Sequence, residues 1–201
     1  MPCMNQPAVM AGKRTSGLDG GNLNRSFPGD PDGNVTGKIA DYFPGDGADE
    51  RRGARPASGG RTLDIIPFGA SRVGERRAAA SRARGAKAFG APYAMMMFEL
   101  DAAALFDTAV ESQGKIFIGH RAGWRWHLDA RASPSPKRGV RNVLIHYGLM
   151  EGTVEMPAEP QVYLDMPDAS CYVQSEHSGL LEVCFALGER VEKGQDDRPR
   201  L

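Results

Sequence analysis

The run Asp19-Gly-Gly-Asn22-Leu-Asn24-Arg25-Ser-Phe27-Pro-Gly29 constrains this chain more than any other stretch. Gly20 and Gly21 let the backbone turn tightly where a Cβ would clash. Asn24 and Arg25 then set an amide beside a forked guanidinium, a pairing suited to grip a carboxylate and an adjacent carbonyl. A basic lead-in, Gly12-Lys-Arg14, precedes the run. A helical pattern from Gly37 to Phe43 follows it, with Thr36 as the N-cap and Pro44 as the stop.

Beyond this point, apolar strand-like runs alternate with helical patterns, which argues for an α/β layer fold. Thr62 to Phe68, Tyr93 to Phe98 and Lys115 to Gly119 read as buried strands. Residues 72–88, Ala102 to Ser112 (capped by Asp101) and Val140 to Met150 read as helices. Residues 44–60 and 120–136 carry no period of either kind. After Glu151 the texture changes to short strand-like runs between turns: Val162-Tyr-Leu, Cys171-Tyr-Val, Leu180 to Phe185 and Arg190-Val-Glu. The expected division is an α/β domain over 1–152 and a partial β domain over 153–201.

Charge excludes some functions. Lys+Arg and Asp+Glu number 25 each, so no global field draws the chain to nucleic acid or membrane. Nine arginines fall between Arg51 and Arg84, whereas the stretch after Glu151 is mostly acidic. Cys3, Cys171 and Cys184 have no metal-ligand spacing and form no even disulfide set. Cys171 and Cys184 lie in apolar context and are expected to behave as small core residues in a reducing cytoplasm. The N-terminus has no signal-peptide pattern, and Ala94 to Phe98 is too short to span a bilayer.

The Asp19–Gly29 run resembles the Asn-Arg carboxylate clamp of the succinylglutamate desuccinylase/aspartoacylase family of zinc deacylases. Ser58-Gly-Gly-Arg61-Thr-Leu-Asp64 resembles a second motif of that family. Together with weaker similarity elsewhere, the resemblance spans roughly 5–43, 58–119 and 137–195, and is nearest to the deacetylases of ectoine breakdown. It implies a zinc-carboxypeptidase-like mixed sheet with flanking helices, incomplete here, and a truncated C-terminal domain like half of a biotinyl/lipoyl sandwich. It also implies hydrolysis of the acyl amide of a small N-acyl amino acid, with N-acetyl-diaminobutyrate as the substrate. Asn24 and Arg25 would hold the substrate carboxylate, with Arg14 as a second cation.

The family's chemistry needs two histidines and a glutamate on zinc, plus a glutamate that moves the proton from the attacking water to the leaving amine. In relatives two ligands come as His-x-x-Glu upstream of the clamp. Only 23 residues precede Asn24 here, and none is histidine. The third ligand ends a strand just before the Ser-Gly-Gly motif, where this chain has Ala57. The proton shuttle belongs to a run like Thr-Glu-Leu-Gly-Gly-Gly-Gly after a strand, where this chain has His120-Arg-Ala-Gly-Trp124-Arg-Trp126-His127.

One codon choice for Arg51 to Ala57, read out of frame, spells Val-Val-Val-Leu-Asp-Leu-His. One for His120 to Arg131 spells Thr-Glu-Leu-Gly-Gly-Gly-Gly-Thr-Ser-Thr-Pro. Both blocks are therefore read as frame slips, the first healed at Ser58. On this reading the chain has no catalytic residue, no metal ligand and no bound zinc. Arg51 to Ala57 in a central buried strand would also put charges and a proline inside the sheet. Buried unpaired charges cost several kcal/mol each, against a domain stability of ~5–15 kcal/mol.

Other features carry less. A His120–His127 metal pair would lie about two helical turns apart, too far to share an ion. His146 is expected at a core edge or the surface, and His177 in an exposed turn. Trp124-Arg-Trp126 has the texture of a nucleic-acid stacking surface, for which an out-of-frame glycine run is the simpler origin. Gly188 to Gly194 lacks the Met-Lys or Asp-Lys of a modified carrier hairpin. Two alternatives to a deacylase remain: a non-catalytic carboxylate-binding module and a nucleic-acid-binding remnant. No oligomeric state is implied.

Overall fold

The computed structural model describes residues 4–45, 52–57, 65–72, 76–99, 102–121, 136–180, 182–193 and 195, with 52–57 as backbone only. Ser58–Asp64, the N-cap Asp101, and the Trp124-Arg-Trp126 and His127 stretch lie outside them. Five helices are described: α1 (Gln6–Met10), α2 (Val35–Gly45), α3 (Arg76–Ala88), α4 (Phe106–Glu111) and α5 (Pro136–His146). The strands are β1 (Arg52–Ala57), β2 (Phe68–Arg72), β3 (Tyr93–Met97), β4 (Ile116–Arg121) and β5 (Val162–Asp165).

The strands form one mixed sheet in the order β1-β4-β2-β3-β5. β1 runs parallel to β4, and β2 and β5 run parallel to β3, whereas β2 meets β4 antiparallel. Side chains alternate across the sheet, and the two faces pack differently. Ile118 is buried with Phe89, Ala91 and Val143, the surface that α3 and α5 cover. Its neighbour Phe117 points the other way and meets Phe106 of α4 edge-on at 5.7 Å. On that side Leu23, Phe27, Ala40 and Ala109 form a second apolar cluster. The mixed sheet with helices on its faces is the α/β layering expected from the sequence.

The elements themselves fall close to their expected positions, with informative departures. Thr36 does not cap α2. The helix starts one residue earlier, Asn34 Oδ1 accepts the Gly37 N–H at 2.8 Å, and the helix runs past Pro44 to Gly45. The helix expected from Ala102 begins only at Phe106, because Ala104 adopts a left-handed φ of 58° and interrupts the pattern. Residues 65–67 are irregular, and the strand expected to end at Phe68 starts there.

Arg52–Ala57 was expected at the centre of the sheet and instead is an edge strand among the described residues. That correction matters for Pro56, since a proline that cannot donate to a ladder is tolerated on an edge strand. In the 153–201 segment, Val162–Asp165 extends the same sheet by pairing with β3. Cys171 ends a 3-10 turn (Ala169–Cys171), and no strand is described at 182–187 or 190–192. Leu180 is fully exposed and Val183 largely so, and among the described residues their apolar pattern has no facing surface to bury it. Cys171 and Cys184 are exposed rather than part of a core. His146 and His177 are exposed, as expected.

Two residues on the α3/α5 face give testable consequences. Gly139 of α5 lies so close to the Phe89 ring that an added Cβ would overlap it. Gly139→Ala should therefore destabilise by about 1–3 kcal/mol, the usual range for overpacking. Urea unfolding would show it as a lower midpoint at unchanged slope; a wild-type midpoint would refute the close approach.

His120 is 1% exposed, stacks on Phe89 at 4.3 Å, and has no hydrogen-bond partner at either ring nitrogen. Burial first, and then the charge of Arg121, lowers its pKa from 6.5 to about 4. The folded state thus holds fewer protons than the unfolded chain between these values. The contribution of neutral His120 is present above pH 6.5 and is lost as pH falls through about 4. His120→Phe should flatten this acid limb in melting temperatures taken from pH 7 to 4. An unchanged acid limb would assign the loss to other groups.

Candidate functional site

The Asp19–Gly29 run is held in place by a carboxylate. Asp19 accepts the Gly21 N–H at 2.9 Å, and from α2 it accepts the Thr36 N–H at 2.7 Å and the Thr36 hydroxyl at 2.8 Å. These bonds, led by the one from Gly21, hold its pKa well below the usual carboxylate range. A Cβ on Gly21 would collide with the Thr36 side chain, which is why this turn needs glycine. Asn22 Oδ1 accepts the Asn24 N–H at 3.2 Å, and Ser26 donates to the Asn22 carbonyl at 2.9 Å. The result is a 3-10 turn over Leu23–Arg25, anchored by the buried side chains of Leu23 and Phe27.

Within this turn Asn24 and Arg25 part company. Asn24 Oδ1 accepts the Phe106 N–H at 3.2 Å, so the amide is oriented against the start of α4 and lines a cavity. Arg25 is exposed and donates from Nη1 to the Asn24 carbonyl at 2.7 Å. Arg14 is exposed in the preceding loop. Neither arginine lines the cavity. Of the three residues expected to bind substrate, the fold brings Asn24 alone to the cavity wall.

The cavity, about 60 Å³, lies on the α4 face of the sheet over Phe117 and Met97. Its charged wall consists of residues that sequence reasoning did not single out as binding groups: Arg72, Glu99, Asp107, Glu111 and Arg121. Arg72 ends β2, Arg121 ends β4, and Glu99 follows β3 by two residues. A charged residue at the end of an apolar strand was the available signal, as in Phe98-Glu99.

These charges are interleaved. Arg72 donates to the Thr108 hydroxyl at 2.7 Å, and its Nε lies 3.7 Å from Glu99 Oε2. The Thr108 hydroxyl in turn donates to the Ala102 carbonyl at 2.6 Å. Behind the wall, buried Arg82 reaches Glu111 at 3.5 Å. Burial, reinforced by the neighbouring Asp107, raises the Glu99 pKa to about 7 against the pull of Arg72 and Arg121. Burial likewise raises Glu111, opposed mainly by Arg82.

The same geometry tests whether zinc fits. The parallel register of β1 and β4 pairs Ala57 with Arg121. These are the two positions that the resemblance gives to a zinc-binding histidine and to the proton-shuttling glutamate, and they stand side by side at the strand ends. Alanine offers no donor atom, and a guanidinium repels a dication. Among the described residues no group of three His, Cys, Asp or Glu is placed to hold a metal ion. His120 is committed to the opposite face, against Phe89. The described residues do not fit a zinc centre. No described helix is long and apolar enough to cross a membrane.

Comparison with known proteins gives a consistent result. The family model for the succinylglutamate desuccinylase/aspartoacylase catalytic domain matches residues 1–147. The chain is 59% identical to the N-alpha-acetyl-L-2,4-diaminobutyric acid deacetylase of Halomonas elongata, over 97% of this chain and 58% of that protein. Among solved structures, it superposes on the product-bound ectoine utilization protein EutE (DoeB) of Ruegeria pomeroyi with a TM-score of 0.83. The identity is 44%, covering 94% of this chain and 58% of that one. A succinylglutamate desuccinylase from Silicibacter gives a TM-score of 0.82 at 45% identity, covering 94% and 57%. The chain thus spans a little over half the length of the relatives it matches. It belongs to the succinylglutamate desuccinylase/aspartoacylase family.

Proposed function

We propose that this chain descends from a deacetylase of N-acetyl-diaminobutyrate and keeps the recognition of the substrate carboxylate without the hydrolysis. The name of the Halomonas relative supports the substrate class. Asn24, inside the family's characteristic run and on the cavity wall, supports retained recognition. Arg25 and Arg14 would act from the rim.

The loss of turnover rests on one observation, the pairing of Ala57 with Arg121 where a ligand and a proton shuttle are expected. In an intact member, zinc supplies an activated water and polarises the acyl carbonyl. This chain offers neither the ligands for the ion nor a carboxylate at the shuttle position. The two patternless blocks are read as out-of-frame stretches of an ancestral gene, which accounts for both replacements at once. A reducing cytoplasm suits the exposed Cys171 and Cys184.

Zinc content of the purified full chain, measured beside N-acetyl-diaminobutyrate hydrolysis with zinc supplied, tests this reading. The expected result is sub-stoichiometric zinc, no acetate release, and saturable binding of the N-acetyl amino acid by calorimetry. Stoichiometric zinc with turnover would overturn the loss of catalysis. Failure to bind the N-acetyl amino acid would overturn the retained recognition.

A further inference from the structure

Arg72 and Arg121 on the cavity wall stand against Glu99, Asp107 and Glu111, and Arg82 behind the wall offsets Glu111, so the set is electrically balanced when every group is ionised. An anion entering this small space would leave one negative charge uncompensated, which a partly buried site tolerates poorly. We propose that the cavity takes up a small carboxylate together with one proton, the anion lying among Asn24, Arg72 and Arg121 and the proton carried on Glu99 as a hydrogen-bond donor. This inference deepens the carboxylate-recognition reading and rests on it.

Geometry selects Glu99 as the carrier. Its Oε2 is buried, 3.7 Å from Arg72 Nε, and accepts no hydrogen bond. Glu111 Oε1 is also buried without a hydrogen bond, but its ion partner at 3.5 Å is Arg82, which is itself buried and lies behind the wall. The groups facing Glu99 are Asp107 from α4, Arg72 from β2, Arg121 from β4, and Tyr172 beyond the last 3-10 turn. Tyr172 donates its hydroxyl to the Phe98 carbonyl at 2.6 Å, which settles the C-terminal segment beside Glu99. Asp107 disfavours the second negative charge that an ionised Glu99 would add. Once protonated, Glu99 has an O–H to give, and the bound carboxylate is the acceptor that receives it. The volume of about 60 Å³ suits a two-carbon acid or the carboxylate end of an amino acid.

With Glu99 protonated and Glu111 offset by Arg82, Arg72 and Arg121 outnumber Asp107 on the wall, so an anion is favoured over a cation. A cation would also displace the proton from Glu99, so the two ligand classes move its titration in opposite directions. That difference makes the test decisive.

The full chain carrying ¹³C-labelled glutamate would be titrated from pH 5 to 9, with the side-chain carboxyl of Glu99 followed by NMR, alone, with acetate and with methylammonium. The expected midpoint without ligand is about 7. Acetate should raise it and methylammonium should leave it unmoved. Acetate affinity should fall about tenfold per pH unit above the midpoint, and Glu99→Gln should bind acetate with an affinity that is flat across the range. A midpoint lowered by acetate or raised by neither ligand would overturn the proposal. So would a midpoint lowered by methylammonium alone, which would assign the cavity to cations. Binding of N-acetyl-diaminobutyrate with no acetate effect on Glu99 would sink the proton linkage and leave the recognition reading intact. Absence of binding by either compound would sink both.

Discussion

The Asp19 carboxylate is the point on which the candidate site depends. Its bonds to Gly21 and Thr36 join a segment with almost no regular structure to the first turn of α2. The negative charge also faces the positive end of that helix, an arrangement that favours the ionised carboxylate. Everything downstream in the run follows from this anchor. Leu23 and Phe27 enter the apolar cluster, the 3-10 turn closes, and the Asn24 amide meets the Phe106 N–H. The family's characteristic run is thus a folding device. Its glycines and its aspartate support the one amide that reaches the cavity.

The second constraint is the burial of mixed charge on the α4 face. Ion pairs in such positions contribute little net stability, because desolvation offsets most of the attraction. Here they are also imperfectly satisfied: Arg82 Nε, Glu99 Oε2 and Glu111 Oε1 are buried without hydrogen-bond partners. A wall of this kind does little for folding and leaves polar atoms ready for a guest. His120 on the opposite face is the contrasting case. Its ring stacks on Phe89, and both of its nitrogens are buried without a hydrogen-bond partner.

Much of this was legible in the sequence, for identifiable reasons. The alternation of apolar strands with helical patterns gave the layer architecture, and β3, β4 and α5 fall within a few residues of their expected places. The turn chemistry of Asp19–Gly29 marked where Asn24 would be held. Long-range geometry was not legible. Thr36 looked like a cap because its local context permits it, yet Asn34 takes that place and Thr36 instead donates its N–H to Asp19, seventeen residues away. Arg25 looked like half of a clamp, but a guanidinium on a long flexible stem can fold back onto its own turn, as its bond to the Asn24 carbonyl shows. The charged wall was missed because Arg72, Glu99, Asp107 and Arg121 converge only once the strand order is known. Pattern reasoning also overcounted strands after residue 170. Short apolar alternations such as Leu180 to Phe185 form a ladder only against a facing surface, and Leu180 has none.

The position of β1 shows how much the strand order decides. In the middle of the sheet, Arg52–Ala57 would have needed a donor from Pro56 and a dry environment for its arginines. At the edge, the parallel pairing with β4 continues through Pro56, which meets His120 in register. An edge strand has a ladder on one side only, so the N–H missing at a proline can fall on the side that needs none. Sheet order therefore tolerates a proline and arginines in this strand. The backbone needs only a pairing register, which many sequences supply, whereas a metal centre needs particular donor atoms at the strand ends. With Ala57 beside Arg121, the strands keep their register whatever donor atoms their ends carry.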